Sequence, residues 1–467
     1  LVVADRTGLQ SSARADELLQ LRMILVENGF AVPILAAKGS VVLRNVVDLA
    51  IQGSETSGAR DVNAPRRIFV LQTCTCTVTL ECPCGKDIKN AWTSTLVFSG
   101  GLQLDDCEFE ENSASVSGGA AAFEDLPLTM QRVQVQNSRV EGNTAGLYGG
   151  GISVDLSARA ISVDQGIFRS NHAVGHGTSR GGGIGGQYSA KVQLTQLSMS
   201  EHTAGHGPAV WFSSTRDFDP QYKPTWVDPL YEVPNIGGSA LRIEDCTIVN
   251  NIAVLPSPGT GAITLTGSAS IDVLRSNFFN NEAVIGGALS MTVNASAIIS
   301  DSNFTSNGAL TRGAAISMSD HSSAVIKQSW FGLNSADGGS ALSLQGRSDA
   351  EITKSSFVQN TATERGAGIW ASDTAHISVY SSFFTENVAK LGGAISLTNG
   401  ANSTIESSTM EKNEATSCGG AIATQSRVPV SLVGVVSFNF NRAGLQANGG
   451  GICALLTEAN SLECDEL

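Results

Sequence analysis

Charged and aromatic residues are scarce in this sequence of 467 residues, at 15% and 6%. An average soluble domain carries about 25% charged residues. The formal net charge is −14, and there is no basic stripe, which argues against nucleic acid and against electrostatic binding to anionic lipid. No apolar run reaches the roughly 18 residues that a membrane-spanning helix needs, so no membrane insertion is predicted for this segment. The hydrophobic fraction of 42% is ample for a core, which excludes disorder as the main state.

Cysteine is also scarce, with nine residues, but four of them are clustered. The cluster has the spacing C-x-C-x5-C-x-C and consists of Cys74, Cys76, Cys82 and Cys84. Structural zinc usually needs C-x2-C pairs, so local disulfides are favoured over zinc, and unpaired thiols are the third alternative. Three N-x-S/T sequons make Asn294, Asn303 and Asn402 candidates for glycosylation. Together these features favour an extracellular or cell-surface location.

Two short motifs alternate along most of the chain. One is Phe-x-x-Asn and the other is Gly-Gly-Ala-Ile or a close variant. The aromatic position of the later copies returns at a nearly constant interval. The clearest copies of the first motif are Phe278–Asn281, Phe304–Asn307, Phe331–Asn334, Phe357–Asn360, Phe384–Asn387, Met410–Asn413 and Phe438–Asn441, and looser ones begin at Phe109, Val140, Phe168, Met199 and Ile248. About twelve copies in phase indicate a repeat architecture.

A period of about 26 to 28 residues with strand-like alternation predicts an all-β fold, a right-handed parallel β-helix with three short strands per coil. The Phe side chains should stack from coil to coil at about 4.8 Å. The Asn side chains should form an amide ladder at a turn, with the Asn itself in a left-handed conformation. The glycine pair should form a corner that needs positive φ. These motif residues are therefore predicted to be structural.

The ends of the chain differ from the repeats. Residues 13–29 have the apolar spacing of an amphipathic helix, which would cap the exposed edge of the first coil. The predicted organisation is a cap over 1–37, irregular opening coils with the cysteine cluster over 38–106, and regular repeats over 107–467. Cys464 follows Phe438 by one period of the repeat, so a thirteenth coil is expected to begin there and to continue beyond this sequence or to be covered by another subunit.

The paired motifs resemble the repeat of the chlamydial polymorphic outer-membrane proteins and of related surface proteins of algae and other protists. The resemblance covers roughly residues 95–467. It implies a surface-exposed β-helical region that acts in adhesion. The bacterial members of that family carry a C-terminal membrane barrel, and no such segment is present in this sequence.

A β-helix is also the fold of pectin-degrading enzymes, so a carbohydrate-active enzyme of the pectin lyase or polygalacturonase type is the alternative function. Polygalacturonases use Asn-Thr-Asp, Asp-Asp, Gly-His-Gly and Arg-Ile-Lys motifs. The sequence has Asp105-Asp106 and two Gly-His-Gly tripeptides, around His176 and His206, but it has neither Asn-Thr-Asp nor Arg-Ile-Lys. Asp105 and His176 are expected to lie two or more coils apart. This distance is larger than the separation of the paired carboxylates that act on one glycosidic bond.

Four of the six histidines lie in two consecutive copies of the repeat, and each one in the first copy has a counterpart in the second at the same offset. If equivalent side chains stack, then four imidazoles would converge and could hold a transition metal. The alternative is a duplicated turn with solvated histidines. The candidate ligands are His172, His176, His202 and His206.

Residues 213–235 interrupt the period and carry prolines and aromatics. Such an insertion is either a flap over an irregular coil or a loop that contacts a partner, with Tyr222, Trp226 and Tyr231 as its anchors. The sequence thus predicts a non-enzymatic extracellular rod, used for adhesion or as a subunit of a surface layer, appendage or filament. No catalytic residue and no cofactor are predicted. The expected partners are other proteins, copies of the chain itself and surface glycans.

Overall fold

Each copy of the repeat forms one coil of a parallel β-solenoid, which has about 11 turns of about 27 residues. The computed structural model describes residues 101–455 with gaps at 115–116, 125–131, 156–160, 176–178, 188–189, 215–237, 255–258, 426–427 and 445–448, together with eight strands between residues 10 and 81 and the pair 462–463. The predicted all-β fold is confirmed. In the described part of the chain, no helix is long and apolar enough to cross a membrane.

Each coil after the first has four strands rather than the expected three, because a bend divides the first sheet into two columns. The strands of the first column are Gly101–Glu110, Arg132–Gln136, Ile161–Asp164, Lys191–Thr195, Ala240–Glu244, Ser270–Leu274, Ser296–Ser300, Ser323–Lys327, Asp349–Thr353, His376–Tyr380, Asn402–Glu406 and Val430–Val433. The second column, called the aromatic column here, also includes the end of Gly101–Glu110 and continues with Arg139–Glu141, Ile167–Arg169, Ser198–Ser200, Thr247–Val249, Asn277–Phe279, Asn303–Thr305, Trp330–Gly332, Ser356–Val358, Phe383–Thr385, Thr409–Glu411 and Ser437–Asn439.

The other two sheets complete the coil. Sheet 2 consists of Ser113–Ala114, Thr144–Ala145, His172–Ala173, Thr203–Ala204, Ile252–Ala253, Glu282–Ile285, Gly308–Arg312, Ser335–Gly338, Thr361–Arg365, Val388–Leu391, Glu414–Cys418 and Arg442–Ala443. Sheet 3 contains Ala121–Glu124, Ile152–Asp155, Ile184–Gln187, Val210–Ser213, Ile263–Thr266, Leu289–Met291, Ile316–Met318, Leu342–Leu344, Ile369–Ala371, Ile395–Leu397, Ile422–Gln425 and Ile452–Leu455. Strands of adjacent coils pair in parallel, so each coil satisfies its backbone hydrogen bonds through its neighbours.

The N-terminal strands pair differently, in antiparallel fashion. They are Gln10–Ser11, Leu18–Leu21, Met23–Leu25, Ile34–Ala37, Ser40–Leu43, Leu49–Gly53, Arg66–Leu71 and Thr75–Glu81. The last two pair with strands of the first coil. Of the segment expected to form a capping helix, 13–29, only Leu18–Leu21 and Met23–Leu25 are described, both as strands. The rest of that segment lies outside the described residues, and the cap and the domain boundaries stay predictions.

The interior follows the aromatic slot of the motif. Phe278, Phe304, Phe331, Phe357 and Phe384 are buried and stacked, with ring centroids 4.5 to 5.0 Å apart and interplanar angles of 4° to 9°. The predicted Phe stack is confirmed. The ring spacing matches the distance of about 4.8 Å between neighbouring strands, because the Phe residues of adjacent coils are aligned partners in paired strands.

The predicted amide ladder is also confirmed. Asn307 is typical of its members: its backbone N–H and its Nδ2 both donate to Oδ1 of Asn334, at 3.0 and 3.1 Å, and Nδ2 also donates to the carbonyl of Phe278. One expectation about this turn is wrong. The left-handed residue is the one before the ladder asparagine, such as Ser306 (φ 55°), because the asparagine side chain needs an ordinary backbone to point into the coil.

Two further features hold the corners. The first glycine of the Gly-Gly pair has positive φ, as predicted; at Gly313 φ is 62°, and a Cβ would collide with the carbonyl oxygen of Ile316. A second ladder, of serines, runs along the bend before the aromatic column, where the backbone N–H of Ser302 donates to Oγ of Ser329. The serine ladder was not predicted from the sequence.

Candidate functional site

Of the candidate metal ligands, His172 and His202 are both described, and they do not stack as equivalent residues. The backbone register places His172 opposite Thr203, and His202 aligns instead with Asn171. His206 forms a bridge between Arg180 and Thr260, and His176 lies outside the described residues. The expected metal site required His172 to lie opposite His202. The two residues are one position out of register, because strand partners in these two coils follow Phe168↔Met199 and His172↔Thr203.

His202 takes the place of an asparagine in the amide ladder. Its Nδ1 accepts a hydrogen bond from the backbone N–H of Asn171 at 3.0 Å, and its backbone N–H donates to Oδ1 of Asn251 at 3.1 Å. The side chain is fully buried, and Nε2 makes no hydrogen bond of normal geometry, although the backbone carbonyl of Phe168 is close enough to favour the protonated ring. Burial, and to a smaller extent the charge of His172, lowers the pKa of His202 to about 3. The ring is therefore neutral, with Nδ1 as the acceptor.

The other two candidate ligands that the structure describes bond to threonines. His172 Nδ1 lies 2.7 Å from Oγ1 of Thr203, and His206 Nδ1 lies 3.0 Å from Oγ1 of Thr260. Burial lowers the pKa of His172. Among the residues that the structure describes, no group of three His, Cys, Asp or Glu side chains could hold a metal ion. The metal hypothesis stays a prediction, and the described geometry gives it no support.

The cysteine cluster and the insertion cannot be placed. Cys74, Cys82 and Cys84, the side chain of Cys76, and the anchors Tyr222, Trp226 and Tyr231 all lie outside the described residues. The three sequon asparagines are described. Asn294 is exposed in a turn with φ of 62°, Asn303 is exposed on the aromatic column, and Asn402 is half-buried in contact with Nδ1 of His376.

A disulfide that the sequence analysis missed joins the last two coils, between Cys418 and Cys453, with Cα atoms 5.7 Å apart. Both residues are buried. They flank the glycine corner of successive copies, one directly before the Gly pair and one directly after its Ile, and this position was the available signal. Cys107 and Cys246 are buried free thiols in the serine slot. Burial raises the pKa of Cys246 to about 11, so its thiol is unreactive.

The residues that resemble a pectin-degrading site do not meet. Asp105 is in the first coil and accepts a hydrogen bond from Asn137, whereas Arg242 is four coils away, at about 19 Å, and pairs with Glu244. Arg275 contacts Glu244 and Asp245, and its hydrogen bonds lower the pKa of both carboxyls. A general acid needs a raised pKa, and the described carboxyls with a resolved shift (Glu201, Glu244 and Asp245) are all shifted downward.

One surface cluster has the order nucleophile, base and orienting group. Ser378 Oγ lies 3.0 Å from Nε2 of His376, whose Nδ1 contacts Oδ1 of Asn402. However, the strand His376–Tyr380 is paired along its whole length with Asp349–Thr353 on one side and Asn402–Glu406 on the other. Its backbone N–H groups are therefore used by the sheet and are not free to bind an oxyanion. This strand therefore offers the cluster no backbone donors for an oxyanion.

The outward side of the aromatic column changes character along the rod. In the N-terminal coils, Arg139 pairs with Glu141, and Arg169 pairs with Glu201, which directly follows the strand Ser198–Ser200. Ile167 is an exposed apolar side chain on the same side. In later coils, the same two outward positions carry exposed aromatics, including Phe279, Trp330 and Phe383. Comparisons with protein-family models, with curated proteins and with solved structures found no match for this chain.

Proposed function

We propose that the chain is a non-enzymatic extracellular rod, which acts in adhesion or as a subunit of a surface layer, appendage or filament. The proposal rests on one observation: the polar residues of the repeat form hydrogen bonds between coils inside the solenoid. The asparagine and serine side chains point inward and bond to the next coil. The repeat motif thus provides a rigid support, and variation is left to the outward positions.

Two further features support an extracellular place for the rod. The disulfide Cys418–Cys453 is of a kind that persists in oxidising compartments. The motif pair resembles that of the chlamydial polymorphic outer-membrane proteins and related protist surface proteins, whose β-helical regions are exposed and adhesive. The ion-paired carboxylates, with their lowered pKa values, favour a support over a glycosidase.

Antibodies raised against the coils of residues 261–425 test this proposal on native cells. We expect staining of intact cells, and loss of the protein when intact cells are treated with protease. Staining that appears only after permeabilisation would overturn the proposal. Hydrolysis or elimination of polygalacturonate by the purified chain would instead establish the enzymatic alternative.

A further inference from the structure

Trp330 lies on the outward side of the aromatic column with 42% of its surface exposed. The position two residues later on the same side of the strand is Gly332, where a Cβ would collide with the indole Nε1 and lie 3.2 Å from Cε2. The indole therefore extends along its own strand towards the glycine, and its Nε1 edge occupies space that a side chain at position 332 would need.

The two preceding coils continue this surface in register. Asn303 and Asn277 are aligned with Trp330, and Thr305 and Phe279 are aligned with Gly332. Together with Phe278 beneath them, these side chains line a shallow depression of about 440 Å³. Phe279 is 47% exposed. The strands that carry the two exposed aromatics are two coils apart, at about 9.6 Å.

The polar groups of the depression are neutral and partly unused. Nδ2 of Asn303 donates to Oδ1 of Asn277 at 2.8 Å. This bond fixes both amides, and it leaves Oδ1 of Asn303 as an acceptor and Nδ2 of Asn277 as a donor on an exposed surface. No charged side chain lines the depression, although the chain has a net charge of −14 and the same column carries ion pairs in earlier coils.

We propose that this depression binds a neutral pyranose ring of a carbohydrate. The C–H side of the sugar would pack on the indole of Trp330, and its hydroxyls would bond to the amides of Asn277 and Asn303 and to the hydroxyl of Thr305. An apolar surface with a few fixed polar groups suits a ligand that has both kinds of surface. The proposal deepens the adhesive role and rests on it for biological meaning, although the binding itself is measured independently of location.

The sugar could come from two sources, since Asn303-Phe304-Thr305 is also a sequon. A free glycan could enter from solvent, or a glycan attached to Asn303 could place its first ring over Trp330. The test labels the full chain with 5-fluorotryptophan, so that each of the five tryptophans gives its own ¹⁹F resonance; that of Trp330 is assigned by Trp330→Phe.

In the first arm, protein from a host without N-glycosylation is titrated with the methyl glycosides of glucose, galactose, mannose and N-acetylglucosamine. We expect a saturable shift of the Trp330 resonance with at least one of them. In the second arm, protein comes from a glycosylating host. An attached sugar would leave the Trp330 resonance already shifted, and Asn303→Gln, which keeps the amide but removes the sequon, would reverse the shift.

Matched variants separate this site from general surface effects. Gly332→Ala should displace the indole, and Trp330→Ala removes it. Each variant should weaken sugar binding in the first arm roughly tenfold or more. Binding to Trp330→Ala is measured by calorimetry, because this variant has no Trp330 resonance. Phe383→Ala is the control, since Phe383 is 53% exposed in the same column but lies between Ser356 and Thr409. The proposal would be overturned by the absence of a Trp330 shift in both arms, or by an equal weakening of sugar binding in Phe383→Ala. The antibody experiment on the location of the protein is independent of both outcomes.

Discussion

His202→Asn should stabilise its coil, because it restores the amide ladder where histidine interrupts it. At the complete rungs, the amide Nδ2 bonds both to the next asparagine and to a carbonyl of the preceding coil. At His202, Nδ1 accepts one hydrogen bond from the backbone N–H of Asn171, and the buried Nε2 makes no hydrogen bond of normal geometry. Recovered hydrogen bonds at about 1 kcal/mol each, less the lost packing of the ring, predict a gain of about 1–2 kcal/mol.

The same change should remove a pH dependence. The pKa of His202 falls from 6.5 in the unfolded chain to about 3 in the folded coil. Between pH 6.5 and about 3, His202 is therefore protonated in the unfolded chain and neutral in the folded coil. The stability that this neutral ring contributes is fully present above pH 6.5 and is lost as the pH falls towards 3. The loss is about 1.4 kcal/mol per pH unit, or about 2 kcal/mol at pH 5.

Hydrogen exchange, corrected for the intrinsic effect of pH, measures both quantities in peptides that cover residues 168–210. We expect protection of the native chain to fall between pH 7.5 and 5, and protection of His202→Asn to fall much less. His321→Asn is the matched control, because His321 is exposed in a turn with φ of 68°, which asparagine tolerates. Equal pH dependence in the native chain and in His202→Asn would refute the reasoning, and so would a less stable variant.

Three other predictions concern the solenoid itself. Phe357→Ala opens the Phe stack and should cost about 3–5 kcal/mol, with increased hydrogen exchange confined to the adjacent coils; uniform loosening of the rod would contradict a nearest-neighbour solenoid. Replacing both Cys418 and Cys453 by serine should lower the stability of the last two coils by about 2–4 kcal/mol, measured by limited proteolysis, and unchanged cleavage would show that the disulfide is dispensable. Gly313→Ala should lower the melting temperature, whereas Gly308→Ala, whose Cβ would meet nothing closer than 3.7 Å, should not.

The interior of the rod was predictable because its residues recur with the coil. Phe304 and Asn307 have counterparts in most copies, and a residue type that returns once in every coil is constrained by the coil above and the coil below. The serine ladder recurs as well, at Ser302 and Ser329, but serine is common in this chain and its recurrence is harder to distinguish from composition. The histidines were misplaced because the register pairs Phe168 with Met199, which makes this coil one residue longer than the offset between the two histidine motifs. This shift separates His172 from His202, and farther along the coil His206 pairs with Arg180.

The candidate site was not predictable, because outward residues are free of that constraint. Trp330 has asparagine at its position in the preceding coil and serine in the next. In the sequence it is an isolated tryptophan, directly before the Phe of the motif. Its proposed function depends on Gly332, where the lack of a side chain leaves room for the indole, and on Asn303 and Asn277, which lie one and two coils earlier along the chain. Only the register of the coils brings these residues together.

Because the inward residues repeat and the outward residues vary, one solenoid can carry different surfaces along its length. Parallel pairing repeats each outward position at about 4.8 Å, so a substitution on the outside changes one element of a column without disturbing the ladders inside. In the N-terminal coils, Arg139 and Arg169 of the aromatic column pair with glutamates of neighbouring coils, although Ile167 is exposed in the same column. From Phe279 onwards, the same column exposes aromatics and amides on an unchanged support. Because the coils contact only their neighbours, the proposed sugar site depends on three consecutive coils, those that carry Phe279, Asn303 and Trp330.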